Sequence, residues 1–224
     1  MRKSWKYWIF VRVPFWSVLA SISLVIVLRW VPVKYTPLML KRAFQFRGEG
    51  NYRTEQKWVS LEDISPELIK AVIICEDQLF YQHRGFDWEA LQAMWRLHRK
   101  EGARLRGCST LSQQTAKNVF TFGTRTFLRK GLEAYWTCLI EQIWGKKRIL
   151  EVYLNVVELG RGIYGVESAS QFYYGCSSSD LDLRRSISLA VCLPTPLTDS
   201  PLNPNPYMRA RRNIIMERTV ACSH

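Results

Sequence analysis

Residues 127–155 read FLRKGLEAYWTCLIEQIWGKKRILEVYLN, and this stretch decides the fold class. Phe127 to Trp144 fits one long helix, Gly145 supplies its stop, and a second helix fits Lys146 to about Asn155. Upstream the same period recurs. Ser65 stands as an N-cap with Pro66 first in a helix whose stripe is Leu68, Ile69, Val72 and Ile73. Asp87 can cap a helix through Lys100, whose stripe of Leu91, Met94 and Trp95 is read as facing a core ahead of the alternative that it faces lipid. Ser109 or Thr110 can start another through about Val119. Alternating β runs are scarce, so the chain is predicted to be mainly α.

Further toward the N-terminus the composition changes. Val13 to Leu28 is apolar apart from Pro14 and three serines, and Tyr7 to Val11 extends it to the ~20 residues a membrane helix needs. Arg2, Lys3 and Lys6 precede it, which favours an N-terminus kept in the cytoplasm. A cleaved signal peptide is the competing reading, but no small-x-small site follows Leu28. The expected organisation is a cytoplasmic segment (1–12), a transmembrane anchor (13–30), a membrane-proximal connector (31–62) and one domain (63–224). The connector's Lys34, Lys41, Arg42 and Arg47 suit anionic head groups.

The 224 residues carry 32 Lys plus Arg against 19 Asp plus Glu, a net +13. That excess points to an anionic partner. With the anchor placing the rest of the chain outside, a phosphate-bearing substrate or a membrane face is expected, and nucleic acid is not. Six cysteines show no C-x-x-C spacing, and three histidines do not support a histidine-rich metal site. Cys75, Cys138 and Cys192 lie in apolar runs and read as small core residues.

Three constellations carry chemistry. Glu76 closes an apolar helix before Asp77. Its carboxylate sits either at a core edge, where desolvation makes it a better proton acceptor, or on a solvated helix end. Gln113 and Gln114 stand four and three residues before Lys117, so amides and an ammonium share a helix face suited to phosphate, or simply to water. Glu133 follows Arg129 by four and Lys130 by three, placing one carboxylate under two cations. Read alone that is a surface ion pair; beside a second basic helix it suits a diphosphate. Gly160 to Gly165 matches a dinucleotide glycine pattern but follows a helix and lacks the acid expected at the end of the next strand, so tight turns are expected there.

In order along the chain, Glu76 to Asp87, Gly107 to Asn118, Arg129 to Asn155, Gly162 to Gly175 and the segment around Leu193-Pro194-Thr195-Pro196 resemble the five motifs of peptidoglycan glycosyltransferases, specifically the monofunctional transglycosylases. The resemblance implies a lysozyme-like glycosyltransferase domain preceded by one N-terminal transmembrane helix. It implies lipid II and the growing glycan-lipid chain as substrates, and a place on the bacterial inner membrane with the catalytic domain in the periplasm. It leaves room for other cell-wall synthesis or division proteins as partners. Glu76 and Glu133 are the implied catalytic residues. Gln113, Gln114, Lys117, Arg129 and Lys130 are the implied substrate-binding ones. Glu133 would orient the cations or help hold a divalent metal such as Mg2+ or Mn2+ on the pyrophosphate. Four positions depart from the family pattern: Cys108 for glycine, Gly145 for serine, Cys176 for lysine, and Arg185 near a frequent glutamate.

Overall fold

A computed structural model describes residues 8–48, 52–101, 109–122 and 127–221. Cys108 and the loop it occupies lie outside the described residues. A π-helical turn, Trp8–Arg12, leads into α1 (Val13–Leu28). Phe10–Leu28 is long and apolar enough to cross a membrane, and nearly all of it faces outward. The domain is built from α3 (Pro66–Glu76), α4 (Trp88–Glu101), α5 (Leu111–Phe120), α6 (Phe127–Ile143), α7 (Gly145–Val156), α8 (Val166–Tyr174), α9 (Leu183–Cys192) and α10 (Pro206–Ala221), after α2 (Pro37–Gln45) in the connector.

Local chemistry sets these boundaries. Thr110 caps α5 through a capping box: its hydroxyl accepts from the Gln113 amide while the Gln113 side chain accepts from the Thr110 amide. Asp87 caps α4 by accepting from the Ala90 amide. Gly145 takes φ +73°, the left-handed conformation that breaks α6 from α7. Ser65 holds the N-cap position of α3, yet its hydroxyl donates to the Leu181 carbonyl instead of receiving an amide.

The core lies where α5 packs on α6 and α7, and where α9 packs on α3 and α10. Leu68, Phe80, Leu111, Ile140, Leu150 and Tyr153 are fully buried there. Burial of each such side chain contributes about 1.5–3 kcal/mol.

The connector is more than a linker. Its strand β1 (Glu55–Gln56) pairs in parallel with β3 (Ile163–Tyr164), which pairs antiparallel with β2 (Glu158–Gly160). The Gln56 amide donates to the carbonyls of Val33 and Asn155. Asn155 in turn exchanges hydrogen bonds with the Val59 backbone. The glycine pattern at 160–165 therefore spans an antiparallel hairpin with no crossover helix, and turns as expected. Gly162 sits at φ +77° with the Arg53 carbonyl 2.1 Å from where a Cβ would be, so only glycine lets β1 approach.

The anchor is clamped to the domain. Trp144 Nε1 donates to the Val25 carbonyl at 2.7 Å, and the Arg148 guanidinium donates to the carbonyls of Leu28 and Val31. The Ser21 and Tyr135 hydroxyls are hydrogen-bonded at 2.5 Å.

Two expectations are corrected. The stripe of α4 does not face the core: Leu91 and Trp95 are exposed and Met94 is half-buried, together with exposed Trp88 and Leu97. Spacing gives a helix an apolar face but does not say what covers it. Cys138 is exposed and Cys75 half-buried; of the three cysteines read as core, Cys192 alone is buried.

Candidate active site

Glu76 ends α3 with its side chain only 12% exposed, which resolves the two readings in favour of a core edge. The Gln114 amide donates to its carboxylate at 2.9 Å, and Arg211 of α10 approaches at 3.7 Å while donating to the Cys75 carbonyl. Burial pushes the Glu76 carboxyl above its ordinary pKa, against the opposing pull of Gln114, Arg211 and Lys117. The buried Tyr153 hydroxyl donates to the Gln114 carbonyl oxygen at 3.3 Å. Tyr153 thus sets which end of the Gln114 amide faces Glu76.

Asp77 positions the helix opposite. Its buried carboxylate accepts from the Leu111 amide at the start of α5, at 2.8 Å, and from His83 at 3.0 Å. The Gly85 amide donates to the other His83 nitrogen, so Nε2 carries the proton toward Asp77. An anion at a helix N-terminus is favourable. It also ties α5, with its Gln114 and Lys117, to the residue beside Glu76.

Glu133, only 2% exposed on α6, is contacted by Arg129 at 2.9 Å and Lys130 at 3.2 Å, one cation to each oxygen. Burial lowers the pKa of Lys117, which Glu133 raises again and Arg129 and Lys130 depress. Lys117 therefore lies within the field of both glutamates. A cleft of about 430 Å3 lies beside them, walled by Arg42 of α2, Gln114 and Lys117 of α5, Arg129 of α6, and Glu158. A smaller one of about 250 Å3 touches Glu76, Asp87 and Ser109.

Five of the seven expected site residues thus share one region as the spacing implied: Glu76, Gln114, Lys117, Arg129 and Glu133. Lys130 joins them through Glu133. Gln113 differs, because its side-chain oxygen is spent on the α5 cap. Sequence reading missed Arg42, which donates twice to Glu158 from 116 residues away. It also missed Tyr153 and Arg211, whose roles rest on long-range packing without a local signal. With both Glu133 oxygens facing cations, that carboxylate does not fit a metal ligand. Among the described residues no three His, Cys, Asp or Glu side chains converge on a metal position.

A buried acid beside a cation-lined cleft, on a helical domain preceded by one apolar helix long enough to cross a membrane, defines the class: an enzyme site suited to an anionic substrate. The chain belongs to the Transglycosylase family, which matches residues 42–220 and confirms the lysozyme-like glycosyltransferase fold. It is 46% identical over 197 residues to the biosynthetic peptidoglycan transglycosylase of Caulobacter vibrioides, covering 88% of this chain and 83% of that one. It is 45% identical to the protein of the same name from Pseudomonas entomophila, over 89% and 85% of the two chains. For the Haemophilus influenzae protein of that name the figures are 41%, 97% and 87%. The family match begins at Arg42, inside the connector, consistent with the pairing of β1 and the Arg42–Glu158 bridge.

Proposed function

We propose that this protein polymerises lipid II into β-1,4-linked glycan strands and releases undecaprenyl pyrophosphate. The observation that carries the reading is a desolvated Glu76 joined through Gln114, and through the field of Lys117, to a cleft that Lys117 and Arg129 line. The donor is the growing chain, whose anomeric carbon bears an α-linked lipid pyrophosphate. The acceptor is the 4-hydroxyl of the next lipid II. As the acceptor oxygen forms its bond to the anomeric carbon, Glu76 takes its proton and the bond to the pyrophosphate oxygen breaks. The electron pair leaves with the pyrophosphate, and the configuration inverts. Lys117, Arg129 and Lys130 neutralise the charge that grows there. Glu133 orients these cations, Gln114 holds Glu76, and Asp77 holds the helix that carries Gln114. Mg2+ or Mn2+, if the reaction takes one, would have to be held mainly by the substrate's phosphates and would add positive charge at the leaving group.

The exposed Trp88, Leu91 and Trp95 of α4 and the basic connector lie against the membrane surface in this reading. The domain faces the periplasm of the inner membrane, with the N-terminus inside. A periplasm-dependent reporter fused after His224 is expected to be active, and activity confined to the cytoplasm would reverse the topology.

Incubation with lipid II is expected to yield polymer, and incubation with finished glycan no cleavage. Cleavage of glycan without polymerisation would make the protein a lysozyme-like hydrolase instead. Undiminished cellular function of a Glu76→Gln variant would favour a non-catalytic membrane scaffold instead.

A further inference from the structure

One cavity plays no part in the reaction above. It lies between the outer end of α1 and the last turn of α5, with a volume of about 610 Å3. Leu24, Leu28, Val31, Tyr35, Val119 and Phe120 give it apolar walls, and among the described residues Lys34 is the charged side chain on its lining. Pockets for apolar ligands run to about 300–1,000 Å3.

We infer that this groove receives the first isoprene units of the donor's polyprenyl chain while its pyrophosphate occupies the cationic cleft. The inference rests on the proposed reaction and adds the path of the lipid. Two stretches of chain connect the sites. Lys117 and Asn118 wall the cationic cleft, and the next two residues, Val119 and Phe120, wall the groove. Leu38 and Arg42 border the cleft, while Tyr35, three residues before Leu38, borders the groove. A phosphate at Lys117 therefore has an apolar channel starting at the same helix end. The channel runs toward Leu24 and Leu28, in the last turns of the membrane-crossing helix, where a polyprenyl chain must enter the bilayer.

The groove is also firmly built. Phe120 stacks on Trp136 with ring centroids 4.2 Å apart, and Trp144 fixes α1 through the Val25 carbonyl. Val33 in its wall is buried. Lys34 supplies a cation for a chain that begins at phosphate. A phospholipid acyl chain is the competing occupant; it matches the apolar walls but would not be directed there by a head group bound at Lys117.

The full-length protein in phospholipid nanodiscs would be irradiated with a lipid II analogue carrying a diazirine in its first isoprene units. Labelling is expected at residues 28–35 and 119–120, and to fall with excess unlabelled lipid II but not with added phospholipid. Labelling confined to α4, or removed by phospholipid, would overturn the inference. Val31→Trp narrows the groove at an exposed position, and its backbone carbonyl still serves Arg148. It is expected to lower kcat/KM about tenfold or more for a long-chain donor, with little change for a short-chain one. Equal losses on both donors, or none, would also overturn it. Failure of the underlying reaction is distinguishable, since the unaltered protein would then polymerise neither donor.

Discussion

Exchange of Glu76 for glutamine is expected to cut turnover by about 10²–10⁴, the range for loss of a general base. Affinity for a lipid-pyrophosphate donor analogue should barely change, because proton removal belongs to the transition state. The unaltered enzyme should show an acid limb in kcat/KM above the ordinary carboxylate range, set by burial of Glu76, and the variant should lose it. Depression of Lys117 by burial predicts a basic limb below the ordinary ammonium range, retained in the variant. Stability provides a control. The folded pKa of Glu76 lies above its unfolded value, so its contribution is full at pH below the unfolded value and is lost as pH rises through the folded one. Above that window Glu76→Gln should unfold no more readily than the unaltered protein. A variant that melted early would attribute lost turnover to unfolding and leave the base unassigned.

The second large effect concerns the cations. Lys117→Ala and Arg129→Ala should each weaken binding of the donor analogue and also slow turnover, since the pyrophosphate is charged before and during departure. Each should cost about 10²-fold or more in kcat/KM, as for one lost donor in a preorganised charge-stabilising site. Glu133→Gln should fall between these variants and the parent, because it loosens Arg129 and Lys130 without removing them. Turnover and donor affinity measured on all four variants test the division of labour. If Glu133→Gln were the most damaging to turnover and Glu76→Gln lost affinity at an unchanged rate, the roles of the two glutamates would have to be exchanged.

Much of this site could be read before any coordinates were available, because its parts are local. Glu76 at the end of an apolar helix, Gln114 three residues before Lys117, and Glu133 at i+4 and i+3 from its cations each follow from helical spacing. Gln113 has two uses that look alike in sequence. Thr110-x-x-Gln113 is a capping box as well as part of a polar face, and the cap claims the side-chain oxygen. Tyr153 and Arg211 reach Glu76 and its partner Gln114 only through packing of α7 and α10, and nothing in their neighbours signals it. The bridge from Arg42 to Glu158 joins α2 to β2 across 116 residues, a separation no local spacing announces. The solvent-facing stripe of α4 is the converse case: its pattern was correct and its partner was not.

The hydrogen bonds from Trp144 and Arg148 to the end of α1 have a mechanical consequence. A domain on a loose stalk could tumble, whereas these contacts couple the stalk to the domain. With α1 in a bilayer, as proposed, the cleft would keep one height and tilt above the lipid surface. In the proposed reaction the lipid-borne sugars would then move laterally past a cleft that does not swing on its stalk.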